Sequence, residues 1–264
     1  MVSWATFIET APPSDHAVQV YGLLDELVQS VVRYLEAGFA MGSPAIVIAT
    51  EEHRRRFSRE LEARSVESAV FEREGLLTYR NAEETLNALM DNGLPSAERF
   101  EETVAILFEE VAARFPGRTI RAFGEMVDLL WRRGDEQAAV AVEDLWNLLA
   151  RRRPFALLCG YRLDIFDVDI QRTALPDVLG AHNHARLAAD TSRLAAAVDR
   201  ALTEVVGARR AGRIYLEVAE QVPRGPVPRA QAVLAWLSAE DPLLAESILE
   251  RVRSHYAAVP VQRL

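Results

Sequence analysis

Between Thr119 and Tyr161 the chain reads TIRAFGEMVDLLWRRGDEQAAVAVEDLWNLLARRRPFALLCGY, and this stretch constrains the fold more than any other. Ile120–Phe123 predicts a short strand that stops at Gly124, with a helix opening at Glu125. A Gly-Glu pair at that point sets a carboxylate on the carboxyl edge of a sheet, where open α/β sheets bind their ligands. Met126, Val127, Leu130 and Trp131 then form an apolar stripe at helical spacing. Gly134-Asp135 closes that helix and opens a second, whose core face carries Ala138, Val142, Leu145 and Leu149. The run from Phe155 to Tyr161 is too short and too apolar for an exposed strand. It predicts a central strand buried on both faces.

The rest of the chain repeats that alternation. HAVQVY (His16–Tyr21) predicts a first strand after a disordered leader over residues 1–13, and a helix follows from about Gly22 to Ala37. PAIVIAT (Pro44–Thr50) predicts a buried strand, with Thr50 placed to cap a helix opening at Glu51. A strand pair is expected at Ser68–Phe71 and Leu76–Tyr79. Asn81 with Glu84 three residues on forms a capping-box pattern for a helix through Met90, and Asp91-Asn92-Gly93 breaks it. Ala97–Phe115 predicts a long amphipathic helix. The fold class is therefore α/β: a mostly parallel sheet flanked by helices in three layers, over residues 14–184. From Ala185 the texture becomes alanine-rich and helical. One helix is expected over residues 185–207, another near 213–221, a proline-rich joint at 222–229, a helix at Ala230–Leu237, and a last one opened by Asp241-Pro242. Residues 185–264 read as a small all-helical appendage.

Composition removes several functions. All thirty Lys+Arg positions are arginine, so Schiff-base lysine chemistry and a P-loop lysine are both absent. Residues 1–180 carry 30 acids against 19 arginines, and residues 181–264 are nearly balanced. Neither half offers the basic footprint that nucleic acid requires, so no direct nucleic-acid partner is expected. No apolar run approaches a membrane span, and MVSWATFIETAPPSD has no basic leader before an apolar core; a cytoplasmic protein without a membrane partner is expected. The lone Cys159 reads as a small core residue.

The ordered motifs HAVQVY, AGFAMGSPAIVIAT, GLLTYRNAEETLNALMDNGLP, IRAFGEMVDLLW, VEDLWN and FALLCGY resemble the MEDS domain, over roughly residues 14–184. That family is the sensory domain of dichloromethane-responsive repressors and of other prokaryotic signalling proteins. The resemblance implies a degenerate RecA/KaiC-type fold that senses small molecules, hydrocarbon derivatives among them. Three features depart from it. The turn AGFAMGSP contains no Walker A sequence; His182-Asn183-His184 stands where the family commonly has a His-Pro pair; and no helix-turn-helix precedes the domain, so direct repression is not expected.

Five residues are candidate ligand contacts. Glu125 stands at the strand's end in the family's Gly-Glu motif, and Arg121, four residues earlier, is placed to pair with it or to hold an anion. His16 resembles the family's leading histidine. Tyr21 and Tyr161 end their strands and are expected to face the same edge as Glu125. Trp131 and Trp146 read as core, and Glu143 and Asn147 as a solvated helix face. His182 and His184 predict no metal site, because no cysteine or third histidine is near them in sequence. No cofactor is expected. The reading is a non-catalytic sensor whose C-terminal helices dock a partner or self-associate. The alternatives are a protein–protein adaptor with a vestigial cleft and, less favoured, a divergent nucleotide-binding enzyme.

Overall fold

The computed structural model describes residues 4–188, 190–221 and 227–258. It divides into two compact units: Met1–Arg162 with Ala181–His184, and Leu163–Gly180 with Ala185–Leu264. The first unit runs α1 (Trp4–Thr10), β1 (His16–Val20), α2 (Leu24–Ala40), β2 (Ala45–Ala49), α3 (Glu51–Ala63), α4 (Ser68–Glu74), β3 (Leu77–Asn81) and α5 (Ala82–Leu89). A small hairpin, β4 (Met90–Asp91) and β5 (Leu94–Pro95), follows, with Asn92 and Gly93 at the positive φ that a two-residue turn requires. Next come α6 (Ala97–Phe100), a π-helical turn (Glu101–Ala105), α7 (Ile106–Arg114), β6 (Ile120–Gly124), α8 (Met126–Arg133), α9 (Glu136–Arg152) and β7 (Phe155–Tyr161). Beyond it lie α10 (Val168–Arg172), α11 (Ala174–Ala181), β8 (His184–Arg186), α12 (Thr191–Val206), α13 (Ala208–Gln221), α14 (Arg229–Glu240) and α15 (Pro242–Ala258).

The α/β sheet has six strands in the order β3-β2-β6-β7-β1-β8, and β3, β2, β6, β7 and β1 pair in parallel. β6 and β7 lie in the middle and are buried along their whole length; β7 is a continuous apolar run, as a strand between two helical layers should be, whereas β6 carries the buried Arg121. Because the strands are parallel, Tyr21, Thr50, Glu125 and Arg162, which follow β1, β2, β6 and β7, all lie at one edge of the sheet.

Several local expectations are corrected. Residues 1–13 were expected to be a disordered leader, but Trp4–Thr10 forms α1. Phe7 is fully buried, stacked on Tyr34 at 5.6 Å, and that contact secures the helix. Ser68–Glu74 is helical rather than a strand. Its apolar run is only three residues long, Phe71 packs on Phe39, and Gly75 closes the turn in the left-handed region. Thr50 sits at the N-cap of α3, yet its side chain makes no capping bond; Asn81 does cap α5, accepting from the Glu83 and Glu84 amides. The alanine-rich helix begins at Thr191 rather than at residue 185, because Asp190 caps it by accepting from the Arg193 amide. Trp146 is core, whereas Trp131 is half-buried. The helical unit also takes in Leu163–Gly180, where Gln231 of α14 donates to Gln171 at 2.9 Å. Of the expected proline-rich joint, residues 222–226 lie outside the described residues.

Arg121 does not pair with Glu125. It is 1% exposed and donates to the carbonyls of Ile8 (2.7 Å), Glu9 (2.6 Å) and Tyr34 (2.7 Å). Ile8 and Glu9 lie in the last turn of α1, whose carbonyls have no helical partner and favour a cation. The arginine therefore fastens α1 and α2 to β6. Gly38 lets α2 come close, since a Cβ there would sit 2.5 Å from Arg121 Cδ. Arg121→Met, which removes the donor to the buried carbonyls of Ile8 and Tyr34 and the half-buried one of Glu9, is expected to cost about 3 kcal/mol in denaturant unfolding. Gly38→Ala is expected to destabilise in the same direction, and hydrogen exchange in α1 should rise in both variants.

Candidate functional site

The carboxyl edge of the sheet holds a pocket of about 490 Å³. Tyr21 contributes from the β1–α2 connection, Leu24 from the start of α2, Thr50, Glu51, Glu52 and His53 from the start of α3, Glu83 from α5, Arg132 from α8, and Arg162 from beyond β7. The β1–α2 connection at Gly22-Leu23 is too short to wrap a phosphate chain. The lining is strongly polar: its acids come from α3 and α5, and its two arginines from α8 and the residue after β7.

Glu125 organises this edge. It is 1% exposed, follows β6 directly, and stands at the N-cap of α8. One carboxylate oxygen accepts the Thr50 backbone N–H, and the other pairs with His53 Nδ1. The residue thus ties the end of β6 to the start of α3 and satisfies an amide that an uncapped helix start would leave open. The His53 ring lies edge-on to Tyr21 at 6.3 Å, between the buried carboxylate and the pocket. Asp128, one turn into α8, accepts the Arg162 amide at 2.8 Å and pairs with Arg132 at 3.0 Å. Burial raises the Asp128 pKa above the usual carboxylate range. Burial also raises that of Tyr21, with Asp128 and Glu125 adding to it, so its hydroxyl stays protonated. Asp128 engages the Arg162 backbone, while the described residues offer its guanidinium no ion-pair partner.

A second polar group lies inside the same unit. His16 opens β1 with its ring buried; Nδ1 donates to Asn147 Oδ1 at 3.1 Å, and Nε2 lies 3.2 Å from Cys159 Sγ. Glu143 Oε2 is 3.5 Å from His16 Nε2, and Glu143 Oε1 is 3.6 Å from His182 Nε2. Tyr161 donates its hydroxyl to Glu143 Oε1. The two imidazoles lie 4.1 Å apart, centre to centre. Burial and the neighbouring His182 push the His16 pKa down to about 4, so the ring is neutral near pH 7. Burial raises the pKa values of Glu143, Cys159 and Tyr161.

Of the five residues read from sequence, Tyr21 and Glu125 meet at the edge. Tyr161 ends its strand beside Tyr21, whose amide it accepts at 2.9 Å, but its side chain points to the internal group. His16 belongs to that group too, and Arg121 serves α1 and α2. Sequence reading missed His53, Asp128, Arg132 and Arg162 at the edge. Three of the four sit at the ends of strands or on the first turns after them, so the strand ends held the signal. It also took Glu143 as solvated, although it is 5% exposed, and found no partner for His182. The partners, His16, Glu143 and Cys159, are remote in sequence.

The family model described as MEDS, the MEthanogen/methylotroph, DcmR Sensory domain, matches residues 15–183. No curated protein matches the chain significantly.

The pairing of Glu125 with His53 has a direct check. Removing either partner strands the other in a largely buried position, so Glu125→Ala is expected to cost about 2–3 kcal/mol. A double-mutant cycle with His53→Ala should give a coupling energy of about 1 kcal/mol or more. A cycle that closes near zero would show the two side chains to be independent.

Proposed function

The chain belongs to the MEDS family, and from that premise we propose that its α/β unit is a non-catalytic sensor of a small polar molecule, a degenerate relative of RecA/KaiC-type domains. A sensory role is the family's description; the ligand, its site and the relay are our own reading. The observation that carries the reading is the Arg162 guanidinium, lining a pocket of about 490 Å³ while the described residues give it no ion-pair partner. A ligand carrying a carboxylate or phosphate pairs with it, and hydroxyls on the same ligand reach Glu51 or Glu83. The pocket is too polar to suit a bare hydrocarbon, so a derivative bearing an anionic group fits better.

Non-catalysis rests on what surrounds that pocket. The chain has no lysine, and the β1–α2 connection has no glycine-rich phosphate cradle. Glu125 and Asp128 are each committed to a partner, leaving neither poised as a base. The relay begins at His53, which touches both the pocket and Glu125, and ends on a regulatory protein partner. The helical unit is the docking element for that partner, with Leu216 of α13 and Leu243 of α15 exposed at 63% and 82%. No helix among the described residues is long and apolar enough to cross a membrane.

Calorimetric titration with a panel of small carboxylates and phosphates tests the site. Arg162→Gln is expected to weaken the best ligand by about tenfold or more, the value of one charge-assisted hydrogen bond. Equal affinity in wild type and variant would move the ligand elsewhere.

A further inference from the structure

The internal group around His16 has the chemistry of a metal site rather than of an ordinary polar core. Two imidazoles, a thiol and a carboxylate converge from four separate segments: the start of β1, α9, β7 and the residues after α11. Their ligating atoms all lie within 4.8 Å of one another. A tetrahedral ion with metal–nitrogen and metal–oxygen bonds near 2.0 Å and a metal–sulfur bond near 2.3 Å separates its ligand atoms by about 3.3–3.6 Å. Two of the spacings, 3.2 Å from His16 Nε2 to Cys159 Sγ and 3.5 Å from His16 Nε2 to Glu143 Oε2, sit close to that range, and His182 Nε2 lies 3.6 Å from the other Glu143 oxygen.

Two further observations point inward. Glu143 Oε2 is buried and accepts no hydrogen bond among the described residues, although it faces the group. A lone buried carboxylate oxygen is costly unless something cationic meets it. The outer contacts also suit coordination. Asn147 takes the Nδ1 proton of His16, leaving the Nε2 lone pair turned toward Cys159 and Glu143, and Tyr161 holds the other Glu143 oxygen. This is how neighbouring groups orient a histidine or a carboxylate on a metal.

We propose that His16, Glu143, Cys159 and His182 form a buried, closed, four-coordinate site for a divalent ion of borderline softness, zinc above all. A thiolate and a carboxylate with two neutral imidazoles balance a +2 ion, so the complex carries no net charge into the buried interior. Binding forms the metal–sulfur bond and releases the Cys159 proton to solvent; nothing is oxidised or reduced. With four protein ligands the ion has no open position, which fits a structural staple rather than a catalytic centre. The site is separate from the edge pocket, and its test is independent of any ligand there.

The test uses the full chain, purified without a metal-binding tag and also refolded from denaturant with zinc or with cobalt. Elemental analysis after dialysis is expected to give about one zinc per chain. The cobalt form should show the intense visible bands of tetrahedral geometry and a thiolate-to-cobalt charge-transfer band. Cys159→Ala should abolish that band, and Asn147→Ala should lower zinc affinity about 10–100-fold. If Cys159→Ala fails to fold, wild-type stoichiometry and the wild-type cobalt spectrum remain decisive. A chain refolded in excess zinc that retains none, or a charge-transfer band that survives Cys159→Ala, would overturn the proposal.

Discussion

A single buried carboxylate turns the edge of this sheet into a cavity. Glu125 could have been one more acid in the first turn of a helix, held by the helix dipole. Instead it reaches across to the neighbouring strand, takes the Thr50 amide, and pairs with His53. That arrangement holds the start of α3 against the end of β6 and leaves Thr50's own hydroxyl free of capping. It also aims the imidazole toward the space between α3, α8 and the chain after β7. The pocket is a consequence of strand direction and this clamp together. Parallel pairing brings the strand ends to one side, and the carboxylate fixes the starts of α3 and α8, the helices that leave β2 and β6.

The α/β unit buries a few ionisable groups, and Arg121, Glu125 and Glu143 each have a different solution to burial. Arg121 is satisfied by backbone carbonyls, so it acts as a joint between helices and sheet. Glu125 is satisfied by an amide and a histidine. Glu143 is satisfied on only one oxygen; the other lies 3.5 Å from His16 Nε2, in a group that also holds Cys159 and His182. A buried carboxylate oxygen left without a hydrogen-bond partner is costly, so the last case is the one that calls for a further component.

Much of the fold was legible because its signals are local. The apolar runs at Ala45–Ala49 and Phe155–Tyr161, the Asn81 cap and the left-handed Gly134 are each set by a few adjacent residues. Where the signal was short, as at Ala69–Phe71, period could not separate strand from helix. Glu125 was legible as a site residue because the strand–Gly-Glu–helix order states its position. Arg121 was not, because its carbonyl partners come from α1, more than a hundred residues away. Glu143 and His182 were misread for the same reason. A charged residue on a helix looks solvated until the fold brings a histidine, a cysteine and a tyrosine around it. Membership of the MEDS family agrees with the resemblance carried by the ordered motifs, which span the same stretch of chain.

We propose that the edge pocket built around Glu125 holds a small ligand. Native mass spectrometry of the full chain, purified without added ligand beside Glu125→Ala, tests it most directly. A small molecule of discrete mass is expected to co-purify with the wild-type chain and to be lost from the variant while the variant remains folded. A ligand retained equally by both would place binding elsewhere. A bare mass for both, with no change on exposure to small anionic metabolites, would contradict the sensor reading and favour an adaptor with an idle cleft.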